Sequence, residues 1–208
     1  MLETALPFAL AGLVGFAHAF EADHLVAVGN IVTKRERGIL AIKDGIFWGL
    51  GHSSTIILIG IILILGKATF PEGTFGVLEG FVGVMLIMLG LVRMRKAYKH
   101  KGHRHDLVDH SEEHRLAYGV GLVHGLAGSG AMVFWVMTEF HSSLGGLFYL
   151  VIFGLGSVVG MLLAAGIFSL PFSKRFSSNT RLQTALVYFS AFLCLVIGVS
   201  ILFEQFSA

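Results

Sequence analysis

The fold is decided by residues 18–24, which read His-Ala-Phe-Glu-Ala-Asp-His. Apolar sequence precedes this stretch over residues 5–17 and follows it over residues 25–32. Two imidazoles and two carboxylates at the depth of a bilayer are costly, and such side chains are functional by default. His and Asp are also common ligands of transition metals. The stretch therefore predicts a path for a transition metal ion through a membrane.

The composition around this stretch is that of an integral membrane protein. The 208-residue chain is 55% hydrophobic and 13% charged, whereas soluble domains carry about 25% charged residues. Spanning a bilayer as a helix takes about 20 apolar residues. Six stretches meet that requirement, namely residues 5–32, 45–66, 74–94, 116–138, 144–171 and 182–203. We therefore predict an all-α polytopic membrane protein with six transmembrane helices.

The basic residues predict the orientation of these helices. Of the 15 Lys and Arg residues, all but Lys67 lie in or beside the first, third and fifth loops. Basic residues accumulate in cytoplasmic loops. We therefore expect loops 33–44, 97–115 and 172–181 to be cytoplasmic, both termini to lie outside, and the protein to reside in the cytoplasmic membrane.

Several classes of function are disfavoured by the composition. The single cysteine, Cys194, excludes a disulfide and a dithiol electron carrier. A net charge of +2 is too small to indicate a nucleic-acid partner. No phosphate-binding loop is present, and no acid that would activate water on a catalytic metal stands out. We expect a protein that is not an enzyme and has no permanently bound cofactor.

The two halves of the sequence resemble each other. Three short matches recur in the same order at offsets of 105 to 108 residues: 15–18 with 121–124, 49–52 with 154–157, and 89–90 with 197–198. Because each half has three predicted helices, the second must cross the membrane in the opposite sense, as in many secondary transporters. The predicted organisation is a 3+3 inverted repeat, with residues 1–96 and 116–208 as repeats and 97–115 as a His-rich loop between them.

The spacing of the motif predicts a break in the first helix. At about 100° per residue, Asp23 lies about 140° round an unbroken helix from His18, and His24 lies about 240° round. Such a helix could not direct all three side chains to one ion. Unwound backbone at this depth is tolerated where it lines a cavity or is buried in protein. We therefore predict a break near residues 19–23, with Asp23 and His24 opening the second half-helix.

Further polar residues lie within the predicted spans. His52 in the second helix and His124 in the fourth are candidates to line the path, although a satisfied core histidine is the alternative for each. Glu21 could face the path or pair with a basic residue. Four hydroxyl residues also lie in these spans, namely Ser53, Ser54, Thr55 and Ser129. Their hydroxyl groups could line the path or bond the backbone of their own helix.

The third loop is rich in histidine, with His100, His103, His105, His110 and His114 among acidic residues. Such a tract could trap or sense metal. It could equally be a solvated linker.

The pattern His-x4-Asp-His over residues 18–24 resembles the signature of the nickel/cobalt transporter family. The stretch 51–54, Gly-His-Ser-Ser, is similar to that family's second block, and six helices resemble its short urease-accessory-type members. The resemblance implies that His18, Asp23, His24 and His52 are metal ligands. Longer members begin with an additional helix, and the second half of this chain carries no full motif.

We therefore expect a permease for Ni²⁺ or Co²⁺, most simply an importer. Metal efflux is the nearest alternative, and export of small organic or sulfur anions is another, although no Lys or Arg occupies the centre of a span. A scaffold or sensor that binds metal through loop 97–115 is a third. The expected partners are the metal ion, the lipid bilayer, and either a second copy of the chain or a nickel-enzyme maturation protein.

Overall fold

The structure is a computed structural model. It describes residues 2–33, 35, 38–66, 73–99, 110–140, 142–172 and 180–207. Within these ranges the chain is entirely helical, with seven α-helices and one short 3-10 turn. The helices are α1 (Leu2–His18), α2 (Ala22–Val32), α3 (Gly38–Gly66), α4 (Thr74–Lys99), α5 (His110–Glu139), α6 (Ser143–Ser169) and α7 (Thr180–Phe206), and the 3-10 turn Leu170–Phe172 follows α6.

Four of the described helices are long and apolar enough to cross a membrane, namely α3, α4, α6 and α7. Their outward faces carry large apolar side chains, for example Phe189, Phe192 and Phe203 on α7, which are 59%, 58% and 70% exposed. Such a surface is stable only where the surrounding medium is apolar. These helices match four of the six predicted spans and are consistent with a polytopic membrane protein.

The first predicted span is not one helix but two. Helix α1 ends at His18 and α2 begins at Ala22. In the intervening turn, the amides of Phe20 and Glu21 donate to the carbonyls of Ala17 and His18. These bonds satisfy backbone groups that the break would otherwise leave without partners in an apolar medium. The interruption lies inside the predicted interval of 19–23.

Glycines bring α3 and α5 into direct backbone contact. A Cβ at Gly51 would overlap the carbonyl of Tyr118, and a Cβ at Gly125 would overlap the carbonyl of His52. Larger residues at these two positions would therefore force the helices apart. This close approach places His52 and His124 side by side in the interior, where each is at most 1% exposed.

The helices extend further into the predicted loops than the hydropathy pattern indicated. Helix α3 begins at Gly38, inside the loop predicted for 33–44. Helix α4 continues to Lys99 and α5 begins at His110, so both ends of the predicted 97–115 loop are helical. Hydropathy marks the apolar part of a helix and not its polar ends, which explains the difference.

A buried ionic cluster joins the starts of α3 and α5. Arg35 donates from Nη2 to Oδ1 of Asp44 at 2.7 Å and pairs through Nη1 with Oε2 of Glu113 at 2.8 Å. His114 donates from Nδ1 to Oδ1 of Asp44 at 2.6 Å, and its ring stacks on Phe47. We call these four charged or titratable residues, Arg35, Asp44, Glu113 and His114, the arginine cluster.

Candidate metal site

Four elements converge on one polar cluster in the apolar interior. The last residue of α1 is His18, and the first turn of α2 supplies Asp23 and His24. Helix α3 supplies His52 and α5 supplies His124. Because α1 stops at His18, the side chains on either side of the break can face the same point. We call the five residues His18, Asp23, His24, His52 and His124 the histidine cluster.

Two carboxylates orient two of the imidazoles. Nδ1 of His18 lies 2.8 Å from Oε1 of Glu21, and Nδ1 of His24 lies 3.0 Å from Oδ1 of Asp23. A carboxylate only accepts hydrogen bonds, so each Nδ1 carries the proton and donates it. The Nε2 atoms of His18 and His24 therefore keep their lone pairs. Carboxylate–imidazole pairs of this kind are the usual support of metal-ligating histidines.

Buried ring nitrogens without partners are a second feature of the cluster. Nε2 of His18, Nε2 of His24 and both ring nitrogens of His52 are buried and have no hydrogen-bond partner among the described residues. One ligand atom from each of these three histidines can be chosen so that all lie within 4.8 Å of one another. Buried polar atoms without partners are costly. Three histidines this close, each with an unpartnered ring nitrogen, could hold a metal ion.

Asp23 links the first triad to a second. Its Oδ2 accepts from Nε2 of His124 at 2.8 Å, while its Oδ1 accepts from the ring and the backbone amide of His24. The carboxylate is 27% exposed, and the two imidazoles are almost completely buried. Asp23, His24 and His124 also have ligand atoms within 4.8 Å of one another. His24 belongs to both triads.

Aromatic rings form the walls of the cluster. The ring centroid of Trp48 is 5.6 Å from that of His24 and 5.8 Å from that of His124. The ring of Phe153 is 5.5 Å from that of His18. Trp48 and Phe153 are both 0% exposed. Such apolar walls limit access of water and strengthen interactions between the ligands and a cation.

The predicted hydroxyls lie outside the centre of the cluster. Ser54 donates to the carbonyl of Leu50 in its own helix. Thr55 bonds the carbonyls of Gly51 and Leu122, and Ser53 donates to Gly154 of α6. The alternative of bonding the own helix backbone thus fits Ser54 and Thr55, whereas Ser53 bonds a neighbouring helix. The side chain of Ser129 and residues 100–109 of the His-rich loop lie outside the described residues.

Some of these features were not predicted from the sequence. Glu21 was a candidate with two open roles, and its partner is His18, three positions earlier. A contact between residues i and i+3 can be predicted from the sequence only in a continuous helix, and here the helix is broken. Trp48 and Phe153 were not singled out, because aromatic residues are common in membrane spans.

Comparison with known proteins gives relatives of one kind. The chain is 30% identical to the urease accessory protein UreH of Bacillus sp. strain TB-90 over 202 residues, which are 92% of this chain and 88% of that protein. It is 31% identical over 110 residues to a high-affinity nickel transport protein of Cupriavidus necator, and 34% identical over 91 residues to the nickel-transport protein NixA of Helicobacter pylori. Those two alignments cover 30% and 28% of the respective transporters.

Two further comparisons gave nothing: no protein-family profile and no solved structure matches the chain.

Proposed function

Because this chain belongs to the nickel/cobalt transporter family, among its short UreH-like members, we propose that it is a permease that carries Ni²⁺ or Co²⁺ into the cell. It is a multi-pass membrane protein with at least four long apolar helices. It is not an enzyme, since its relatives are named as transport and accessory proteins.

The observation that carries this proposal is the set of free nitrogens in the histidine cluster. A buried imidazole normally satisfies both ring nitrogens, whereas His18, His24 and His52 each keep an unpartnered nitrogen and lie close enough to offer one ligand atom each to one ion. Imidazole suits Ni, Co, Cu, Zn and Fe, and thiolate, which favours Cu(I), is absent from the cluster. The chemistry of the site thus fits the substrate that the relatives' names state.

We propose His18, His24 and His52 as the ligands of the ion, each through one neutral ring nitrogen. Glu21 and Asp23 support His18 and His24 through their Nδ1–H groups. Asp23, which the sequence placed among the ligands, would contribute its negative charge from 3.0 Å behind His24. Two carboxylates beside a divalent cation would leave the occupied site close to neutral, which reduces the cost of burying the charge.

The proposed architecture is a six-span, 3+3 inverted repeat, with α1 and α2 together forming the first span. Paired contacts support it. Gly15 of α1 lies against the carbonyl of Phe153, and Gly121 of α5 lies against that of Trp48; these are equivalent pairs at offsets of 105 and 106 residues. Residues 1–96 and 116–208 would then be the two repeats.

The proposed orientation has both termini outside the cytoplasmic membrane. Loops 33–44, 97–115 and 172–181 would be cytoplasmic because they contain most of the basic residues. The arginine cluster supports this arrangement, since it joins Arg35 of the first loop to Glu113 and His114 beside the third. With that orientation, a negative interior potential favours entry of a divalent ion by about 2.3 kcal/mol per charge per 100 mV.

The test is accumulation of radioactive Ni²⁺ and Co²⁺ by cells that lack other nickel transporters. Wild type should accumulate more metal than cells with empty vector, and His24→Ala should reduce accumulation about 100-fold or more, because it removes a ligand and its supporting contact together. Ser54→Ala is the matched control, because this partly lipid-exposed hydroxyl bonds only its own helix among the described contacts. Its accumulation should equal that of wild type at equal expression.

The same assay separates the alternatives. Accumulation below that of empty cells, with higher resistance to metal, would mean export and would overturn the direction of transport. Equal accumulation in wild type and empty cells would overturn metal transport itself. A nickel enzyme such as urease, which the name of the UreH relative mentions, is the proposed beneficiary of the imported metal.

A further inference from the structure

His24 offers its two ring nitrogens to two different sets of ligands. Nε2 is buried and no described residue bonds it, and one ring nitrogen of His24 lies within 4.8 Å of a nitrogen of His18 and a nitrogen of His52. Nδ1 lies on the side of Asp23 and His124. The ring of His24 lies close to the histidines of both sets. Its centroid is 4.5 Å from that of His18, 5.2 Å from that of His52 and 4.2 Å from that of His124.

His52 and His124 are further apart, at 6.4 Å between ring centroids. The two triads are therefore neighbouring positions that share one ring. Trp48 contacts both His24 and His124 and contributes no ligand atom. It borders the second triad in the way that Phe153 borders the first.

We propose that the transported ion occupies two successive positions in the histidine cluster, which His24 connects. In the first, the ion binds Nε2 of His18, Nε2 of His24 and a ring nitrogen of His52. In the second, it binds a carboxylate oxygen of Asp23, Nδ1 of His24 and Nε2 of His124. This inference rests on the proposed function and adds His124 and Asp23 as direct ligands.

The exchange between positions needs no net gain or loss of protons. In the first position, Nδ1 of His24 and Nε2 of His124 carry protons and donate them to Asp23. In the second position, those two nitrogens bind the ion, and their protons reside on Nε2 of His24 and Nδ1 of His124. Nδ1 of His124 is buried and has no partner among the described residues, so it is free to accept this proton. Each imidazole stays neutral throughout, as metal ligation requires.

Because a neutral imidazole has only one nitrogen with a free lone pair, His24 can ligate one ion at a time, and only one position is filled at once. Leaving the first position breaks three bonds to nitrogen, and entering the second forms two bonds to nitrogen and one to a carboxylate oxygen. The carboxylate oxygen in the second position is a harder ligand than an imidazole nitrogen and carries a charge. The second position therefore differs from the first in its preference among divalent ions. A second position of lower affinity allows the ion to leave the first in steps, which a single tight site would prevent.

The experiment measures binding of Ni²⁺ to the purified full-length protein in detergent, by equilibrium dialysis and by X-ray absorption. Wild type should bind one ion per chain. His18→Ala disables the first position and should still bind one ion, with affinity reduced roughly ten- to hundredfold and with more oxygen among its ligands. Adding His124→Ala to His18→Ala should abolish the binding that remains. Adding Ser54→Ala instead is the matched control and should leave it unchanged, because this exposed hydroxyl bonds the carbonyl of Leu50 in its own helix.

The single variant His124→Ala completes the test. It should bind one Ni²⁺ with wild-type affinity at the first position and yet transport at least tenfold more slowly, because the ion lacks its second position. The inference is overturned if His18→Ala alone removes all binding, or if His18→Ala with His124→Ala still binds Ni²⁺. Absence of Ni²⁺ and Co²⁺ binding by the wild type would instead overturn the proposed function.

Discussion

The histidine cluster and the arginine cluster are built from similar residues and differ in one component. Each contains a carboxylate that accepts from Nδ1 of a histidine: Asp23 with His24, and Asp44 with His114. In the arginine cluster, Arg35 supplies a permanent positive charge to two carboxylates. Asp23 of the histidine cluster and Glu21 beside it pair only with histidines in the part of the chain that the structure describes.

This difference indicates what each cluster does. A buried carboxylate needs a cation or several hydrogen bonds. The guanidinium of Arg35 meets that need within the protein, so the arginine cluster is a structural connection between the starts of α3 and α5. The histidine cluster has the anionic groups and the free ring nitrogens but no permanent cation. The cation that completes it is the proposed substrate.

The largest expected effect is a difference in folding stability between two variants, each of which removes one carboxylate charge from one cluster. Asp44→Asn leaves the guanidinium of Arg35, which is 2% exposed, with Glu113 as its remaining carboxylate. Breaking a buried ion pair on one side costs about 3–5 kcal/mol. Asp23→Asn leaves no buried permanent cation behind and retains an amide oxygen that accepts a hydrogen bond, so its cost should be about 1 kcal/mol.

Thermal unfolding of the two variants in detergent, without metal, measures this contrast. Asp44→Asn should unfold at a clearly lower temperature than wild type, and Asp23→Asn close to wild type. Equal losses of stability would mean that both clusters are structural, and the comparison would fail.

The second effect is the stabilisation of the folded protein by Ni²⁺. It should depend on the histidine cluster and not on the arginine cluster. Ni²⁺ at about 100 times its Kd should stabilise the wild type by about 2.7 kcal/mol, because it binds the folded state only. His24→Ala should show no rise in unfolding temperature with Ni²⁺. Asp44→Asn, although less stable, should show the full rise. A rise that His24→Ala retains and Asp44→Asn loses would assign the metal to the arginine cluster.

The smallest expected effect is on the affinity for Ni²⁺ and comes from Glu21, which supports the proposed ligand His18 through a hydrogen bond without binding the ion itself. Glu21→Gln keeps an acceptor for Nδ1 of His18 but removes the charge, and loss of such a supporting partner typically weakens metal binding by a factor of about 10. That factor corresponds to about 1.4 kcal/mol. Glu204→Gln, which alters an exposed carboxylate near the end of α7, is the control. Titration of both purified variants with Ni²⁺ measures the difference, and equal affinities would remove Glu21 from the site.

The break in the first span could be predicted because the motif constrains it locally. Residues His18 and His24 cannot face one point on a continuous helix, and the described turn between α1 and α2 lies where this argument put it. His52 could be singled out as a polar residue in an apolar span. The prediction did not extend to which atoms are free, because that depends on Glu21 and Asp23 as hydrogen-bond partners.

The arginine cluster could not be predicted in the same way. In the sequence, Arg35 is one of several basic residues in the first loop, and Asp44 is the residue just before a predicted span. Their burial results from Glu113 and His114, which are about 70 residues away in sequence and reach them only when α3 packs on α5. Long-range pairing of this kind has no local signature.

The sequence alone determined the apolar helices, the family resemblance and the residues of the histidine motif, because hydropathy and helical periodicity are local properties. Only the tertiary structure decided that Asp23 bridges His24 and His124, and that Ser53 bonds α6. It also decided that three imidazoles have unpartnered nitrogens and place one ligand atom each within 4.8 Å of one another. These features depend on the packing of five separate helices, α1, α2, α3, α5 and α6, since hydrogen bonds and coordination are fixed by distances of a few ångströms between residues remote in sequence.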